Sequence, residues 1–244
     1  MKNDTDLAAT KNSPSDLSTL APDAPFWAIG DVHGCVDLLA PLLRDLMEGP
    51  EKIILVGDYI NKGPDSAKTL DLLQEATATG QVIALRGNHE DLLLRFLRRP
   101  RQFGRSWINY GGLTTLESFG ITGLTADANP AEFFEARDAL TAALGPQIAW
   151  LETLPYVWHS GNVAVLHAGA DPDMALEDQV QKAFAWGHPN FHSHHRKDGT
   201  WIVHGHRPVQ AVRIRNRRIA IDTEAYVSGT LSAVRVSAGS VTVR

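Results

Sequence analysis

Along the 244-residue sequence, short apolar runs end repeatedly on a residue able to bind a cation or move a proton. Asp31 and His33 follow "FWAIG", Asp58 follows "KIILVG", and Asn88 and His89 follow "QVIALRG". His167 closes "NVAVL", and His204 and His206 close "TWIV". Each alone has an ordinary explanation, because an Asp after a strand is commonly a cap or turn residue. Five strand ends with the same chemical set are not five coincidences. In open α/β sheets, ligands sit beyond the carboxyl ends of the strands, so these residues point at one place. Carboxylates, imidazoles and an amide oxygen, with no thiolate cluster, suit divalent ions such as manganese, iron or zinc. One Asp can bridge two ions about 3.5–4 Å apart, and such a pair activates water and clamps a phosphoryl group.

The runs themselves are short and rich in Ile and Val, which reads as buried strands rather than helices. Between the first three lie helical patterns. One spans about 36–47 with Leu39, Leu42, Leu43 and Leu46 on one face; another follows Pro64, with Leu70, Leu73 and Ala76, and stops near Gly80. A β-α-β-α-β opening implies parallel strands joined by right-handed crossovers. Residues from about 95 to 154 read as a mostly helical insert. Strands resume with "VRIRN", "RIAID" and a final pair around "LSAVRV" and "VTVR".

Hydrophobic residues make up 43% and charged residues 21% of the chain, an ordinary balance for a globular protein. A net charge of −5 argues against a nucleic-acid partner held on a broad basic face. Cys35 is the single cysteine, which excludes an internal disulfide and fits a reducing cytoplasm. No run approaches the roughly eighteen apolar residues of a membrane span. Residues 1–24, rich in Asp, Ser, Thr and Pro, read as a flexible leader before a single domain over 25–244.

In order, "GDVHG", "GDYINKGPDS", "RGNHE", "VLHAG" and "VHGH" resemble the phosphoprotein phosphatase branch of the calcineurin-like metallophosphoesterases. The small bacterial serine/threonine phosphatases and the symmetrical diadenosine tetraphosphatases are the nearest in pattern, and the resemblance runs from Phe26 onward. It implies an α/β fold: an αββα sandwich of two mixed β-sheets flanked by helices, with the metals at the strand ends. Carried over by motif, Asp31, His33 and Asp58 hold one ion, and Asp58 bridges to a second held by Asn88, His167 and His206. His89 protonates the leaving oxygen while a metal-bridging hydroxide attacks phosphorus directly. The implied function is a two-metal phosphomonoesterase acting on phosphoserine or phosphothreonine in proteins. Two alternatives stand beside it: a nucleotide or dinucleoside polyphosphate hydrolase, and a metal-binding regulatory protein with weakened catalysis. The implied partners are a phosphorylated protein or a small phosphoester, with no nucleic acid and no membrane.

The same block departs from that pattern after the bridging Asp. Where the family reads Asp-Arg-Gly, this chain reads Asn61-Lys62-Gly63. Asn61 can still accept a hydrogen bond from His89 through its carbonyl but lends no charge to an imidazolium, so His89 is expected to work with a lowered pKa. Lys62 keeps a positive charge without the planar fork. Trp186 is followed by Gly187 and His188 where an Arg is usual, leaving Arg207, or else Arg196, as substitute. Phosphate binding is therefore expected from Lys62, Asn88 and Arg207, and catalytic roles from His89 and Asn61. His204 is expected to support the ligands, Cys35 to pack at a helix start, and "HPNFHSHHRKDG" to be a solvated loop. Trp107 and Tyr110 are expected to be buried in the insert, with lining of a substrate groove as the alternative.

Overall fold

The computed structural model describes residues 17–244. Strands β1 (Phe26–Ile29), β2 (Lys52–Leu55) and β3 (Val82–Ala84) alternate with helices α1 (Val36–Leu46), α2 (Ser66–Thr77) and α3 (Asn88–Arg98). β1 and β3 both pair with β2 in parallel, as the alternating opening predicts. The insert forms α4 (Pro100–Trp107), a kink (Ile108–Gly112) where Tyr110 and Gly111 leave helical backbone, α5 (Leu113–Ser118), α6 (Pro130–Leu144) and α7 (Gln147–Thr153). There follow β4 (Val157–Ser160), β5 (Val163–Leu166), α8 (Gln181–Trp186), β6 (Trp201–His204), β7 (Arg213–Arg215) and β8 (Arg218–Ala220). Short α9 (Ala225–Ser228) and the hairpin β9 (Ala233–Ser237) and β10 (Ser240–Val243) end the chain.

The strands make two mixed sheets of five, ordered β10-β9-β1-β2-β3 and β4-β5-β6-β8-β7. Period-2 alternation sorts their side chains into layers. Ile54 and Val56 meet Val163, Val165, Trp201 and Val203 between the sheets, whereas Ile53 and Leu55 face outward under Leu39, Leu43, Leu70, Leu73 and Leu93. On the outer face of the second sheet, Ala164, Leu166 and Ile202 pack on Phe184 and Phe191. This is the two-sheet sandwich flanked by helices that the motifs imply.

Two expectations change. β4 carries no apolar run, with Val157 and Trp158 half-buried and His159 exposed, so only its antiparallel pairing with β5 reveals it. The expected leader, residues 1–24, falls outside the described residues up to residue 16. From Leu17 onward the chain is packed: Leu20 is buried in the inter-sheet core, and Ala21 N–H donates to Asn162 Oδ1 at 2.9 Å. Among the described residues, no helix is long and apolar enough to cross a membrane.

Candidate metal centre

Each functional side chain leaves a tight turn just beyond a strand. His33, Asp58, Asn61, Lys62 and His206 all adopt left-handed backbone, with φ between 45° and 69°. That conformation costs a non-glycine residue about 1–2 kcal/mol, and Asn, Asp and His bear it most readily. Strain of this kind gathers where surrounding structure fixes a functional group. Gly57, at φ 116°, has no such latitude to spare: a Cβ there would lie 2.6 Å from Gly87 N and 3.0 Å from His167 Nδ1. The greasy strand β2 therefore stops on Gly57 so that Asp58 can turn over the strand ends between β3 and β5.

Two groups of metal-ligating atoms converge on Asp58: His33 with His89, and His167 with His206. Asp58 Oδ2 lies 3.6 Å from His33 Nε2, and Oδ1 lies 3.3 Å from His167 Nε2. Asn88 Oδ1 is 2.9 Å from both His167 Nε2 and His206 Nδ1. Ring orientation is fixed from behind: His33 Nδ1 donates to Ile60 O at 2.9 Å and His167 Nδ1 to Val56 O at 3.2 Å, leaving each Nε2 facing the centre. Nitrogen and oxygen donors with both carboxylate oxygens of Asp58 engaged fit a pair of divalent ions.

Asp31, the remaining expected ligand, is buried beside these groups and acts electrostatically on both Asp58 and His167. Its carboxylate accepts from His206 N–H at 3.0 and 3.3 Å. Burial, Asp222 and Asp58 together hold the Asp31 carboxyl well above the usual carboxylate range. His89 lies alongside, its Nε2 3.7 Å from Asp58 Oδ2.

Buried acids crowd this centre. Burial opposes ionisation of Asp58, yet His167, His89 and His33 hold its carboxyl well below the usual range. Burial also opposes charge on His167, but Asp58 and Asp31 outweigh it and raise His167 to about 9. In the metal-free chain this ion pair stabilises fully below pH 6.5, and its contribution fades as pH rises through 9. His33 and His206, each lowered to about 4 by burial first, penalise folding only below about 6.5 and cancel above it. Melting temperature of the metal-free chain is therefore expected to fall between pH 6.5 and 9, and added divalent ion, replacing the His167 proton, should flatten the slope. A level melting profile without metal would refute the pairing.

Proton chemistry is set by Asn61. Its Nδ2 donates to His89 Nδ1 at 2.7 Å, and its Oδ1 accepts from Thr115 Oγ1 at 2.8 Å. The expected direction has His89 donating to the amide carbonyl; here the amide nitrogen faces the ring and the carbonyl faces the Thr115 hydroxyl. His89 is then neutral with its proton on Nε2, facing the cleft. Burial, joined by the charges of His33 and Lys62, pushes its pKa down to about 3 against the pull of Asp58.

The cleft above the metal groups encloses about 430 Å³. Lys62 is its one Lys or Arg side chain, with Nζ 3.2 Å from His33 Nε2 and 4.9 Å over the Tyr226 ring. Arg207 does not line it: the side chain is exposed, and its charge acts on His192 and His206. Arg196 is held by Asp198 and donates to Asp171 O and Met174 O, a structural tie. Tyr110 lines the cleft at 44% exposure, while Trp107 is buried and stacked on Phe96. Cys35 is buried at the start of α1, where burial pushes its thiol pKa up. His204 is buried against Phe191, its Nδ1 on Gly205 O, outside both ligand groups. The histidine-dense loop contributes no third such group among the described residues.

Sequence reasoning missed Glu90, Thr115, Asp222 and Tyr226. Glu90 is fully buried and ties two turns together, accepting from Gly87 and Asp58 N–H at 2.9 Å and from Tyr59 N–H at 2.8 Å. Its position three residues after the cap Gly87 was the available signal. The others reach the site from distant segments that no local spacing marks.

Comparison with known proteins agrees with this geometry. The asymmetrical bis(5'-nucleosyl)-tetraphosphatase PrpE of Oceanobacillus iheyensis is 27% identical over 85% of this chain and 86% of its own. Serine/threonine-protein phosphatase 1 of Salmonella typhimurium is 40% identical, over 35% of this chain and 38% of its own. In fold, a crystal structure of a putative diadenosine tetraphosphatase superposes with TM-score 0.60 and 20% identity, covering 91% of this chain and 93% of that one. A Saccharomyces cerevisiae serine/threonine phosphatase superposes with TM-score 0.57 and 16% identity, over 95% and 84%. The sequence pattern of the calcineurin-like phosphoesterases matches residues 24–229, so the paired metal-ligand groups, the two-sheet fold and the motifs have one explanation: this chain belongs to the calcineurin-like phosphoesterase family.

Proposed function

We propose that the chain hydrolyses phosphoanhydrides, with a nucleotide or dinucleoside polyphosphate as substrate. The observation that carries this reading is the amide of Asn61 against His89 Nδ1. A neutral His89 with a depressed pKa is a weak general acid, because giving up its Nε2 proton would leave an imidazolate. An alkoxide leaving group, as from phosphoserine, needs that proton. A phosphate leaving group, with a second pKa of about 6, departs without it.

Divalent ions bound at the paired groups would supply Lewis acidity and an acidified water; manganese is proposed first, with iron or zinc as alternatives. His33, His167 and His206 are pre-aimed by their turns, and Asp58 reaches both groups. Lys62 would meet a phosphoryl oxygen as a point charge. Asn88 and His89 line the same wall. Tyr110 and Tyr226 edge the cleft, with ring centroids 5.7 Å from His89 and 5.3 Å from His33 respectively. Aromatic faces placed there suit nucleobases flanking a phosphate chain. The PrpE relatives, alike over most of their length, support the same substrate class.

A second reading, hydrolysis of phosphoserine or phosphothreonine, is favoured by the 40% identity to serine/threonine-protein phosphatase 1 over 88 residues. Diadenosine tetraphosphate and a phosphoserine peptide, assayed side by side with added Mn²⁺, separate the two. Faster turnover of the peptide would overturn the anhydride reading, and bound metal without turnover of either would favour a regulatory protein. Tyr110→Ala and Tyr226→Ala are each expected to raise KM for the dinucleotide about 5- to 100-fold. Turnover of p-nitrophenyl phosphate should stay near that of the wild type, since no base is there to stack.

A further inference from the structure

Charge is unevenly distributed along this chain. Between residues 191 and 220 stand seven Lys and Arg with one acid, Asp198, whereas the rest of the sequence holds 16 Lys and Arg against 27 Asp and Glu. The fold concentrates the basic segment further. Strands β7 and β8 form a hairpin in which Arg215 lies directly opposite Arg218. Arg213, two residues before Arg215, shares its face about 7 Å along the strand. Like charges facing each other across a ladder are destabilising. Among the described residues, no carboxylate pairs with Arg213, Arg215 or Arg217.

These arginines bound two adjoining cavities of about 280 and 250 Å³ on the outer face of the second sheet. Arg218, Asn216 and His195 line both, no Asp or Glu lines either, and neither shares a residue with the metal cleft. Arg218 is buried to 8% exposure, donating to the His194 carbonyl and lying 5.0 Å over the Phe191 ring. Its guanidinium is thus pre-positioned at the floor rather than free in solvent. The accumulated charge is felt nearby: burial, then Arg207, Arg218 and Arg213, push His192 down to about 4.

We propose that this cleft is a second anion site, one that binds a condensed-phosphate chain of two or three phosphoryl groups, either free or carried by a nucleotide. Guanidinium forks match phosphate oxygens in pairs, and an anion between Arg213, Arg215 and Arg218 relieves their mutual repulsion. Concave walls and small volume select a compact anion. A nucleic-acid duplex would need a broad basic face, which a chain of net charge −5 does not offer.

Calorimetric titration of the full-length chain, without added metal, with tripolyphosphate and in parallel with ATP tests the site. Arg213→Gln/Arg215→Gln is expected to weaken tripolyphosphate binding about tenfold or more. Lys62→Gln, which empties the metal cleft of its cation, should retain the binding that Arg213→Gln/Arg215→Gln loses. So should Arg99→Gln/Arg101→Gln, which removes the same charge from exposed positions elsewhere. Arg213→Lys/Arg215→Lys should retain most of the affinity, and thermal melts of each variant report folding. Equal affinity for tripolyphosphate and ATP would identify the phosphate chain as the recognised group. Tighter ATP binding that is lost in the same double variant would identify a nucleotide as its source. Absence of binding at millimolar ligand, undiminished binding in Arg213→Gln/Arg215→Gln, or equal loss in Lys62→Gln or Arg99→Gln/Arg101→Gln would overturn the proposal.

Discussion

Asp58→Asn is expected to lower metal-dependent turnover about 10³-fold, equivalent to about 4 kcal/mol of barrier, and to reduce the number of ions bound. Every potential metal-binding group found among the described residues contains this carboxylate. Its two oxygens face different histidines, so an amide replaces one of them with a donor and removes the charge that would draw an ion to either group. Backbone placement should survive, because an amide oxygen can still accept from His89 N–H as Asp58 Oδ1 does at 3.0 Å. Elemental analysis of the purified variant beside its turnover of p-nitrophenyl phosphate checks both halves. Turnover within tenfold of the wild type, with full metal content, would remove Asp58 from the bridging position.

A change in the opposite direction is expected at Asn61. Asn61→Asp places a carboxylate 2.7 Å from His89 Nδ1, where the amide nitrogen now donates. The ring then carries its proton on Nδ1 toward the acid, and the imidazolium becomes the favoured charged form. General-acid help of this kind is worth about 10²–10⁴-fold where the leaving group needs a proton. Phosphoserine-peptide turnover at pH 7 is expected to rise about 10²-fold, the low end, because the new carboxylate is buried. Diadenosine tetraphosphate turnover should change little. The alkaline limb of the peptide pH–rate profile should move upward, since the acid now holds its proton to higher pH. A folded variant with unchanged peptide turnover and an unchanged profile would show that Asn61 does not govern the protonation of His89.

Much of the centre was legible from sequence because its ligands are local to strand ends. Asp58, Asn88, His167 and His206 each follow a short Ile- and Val-rich run, and parallel strands bring such ends together at one edge. Which of Ile53 and Leu55 or Ile54 and Val56 faces the second sheet was visible only in the fold. What spacing could not convey was direction and distance between segments far apart in the chain. Thr115 reaches Asn61 across 54 residues, meeting the amide oxygen while the amide nitrogen meets His89. Tyr226 and Asp222 arrive from the last quarter of the chain to wall the cleft. Arg207, adjacent to His206 in sequence, is exposed and does not line the cleft. Residue types and their order thus determined the class of site, whereas the charge of its acid, the walls of its cleft and the clustering of arginines behind it were decided by tertiary packing, since each depends on which side chain occupies the space opposite.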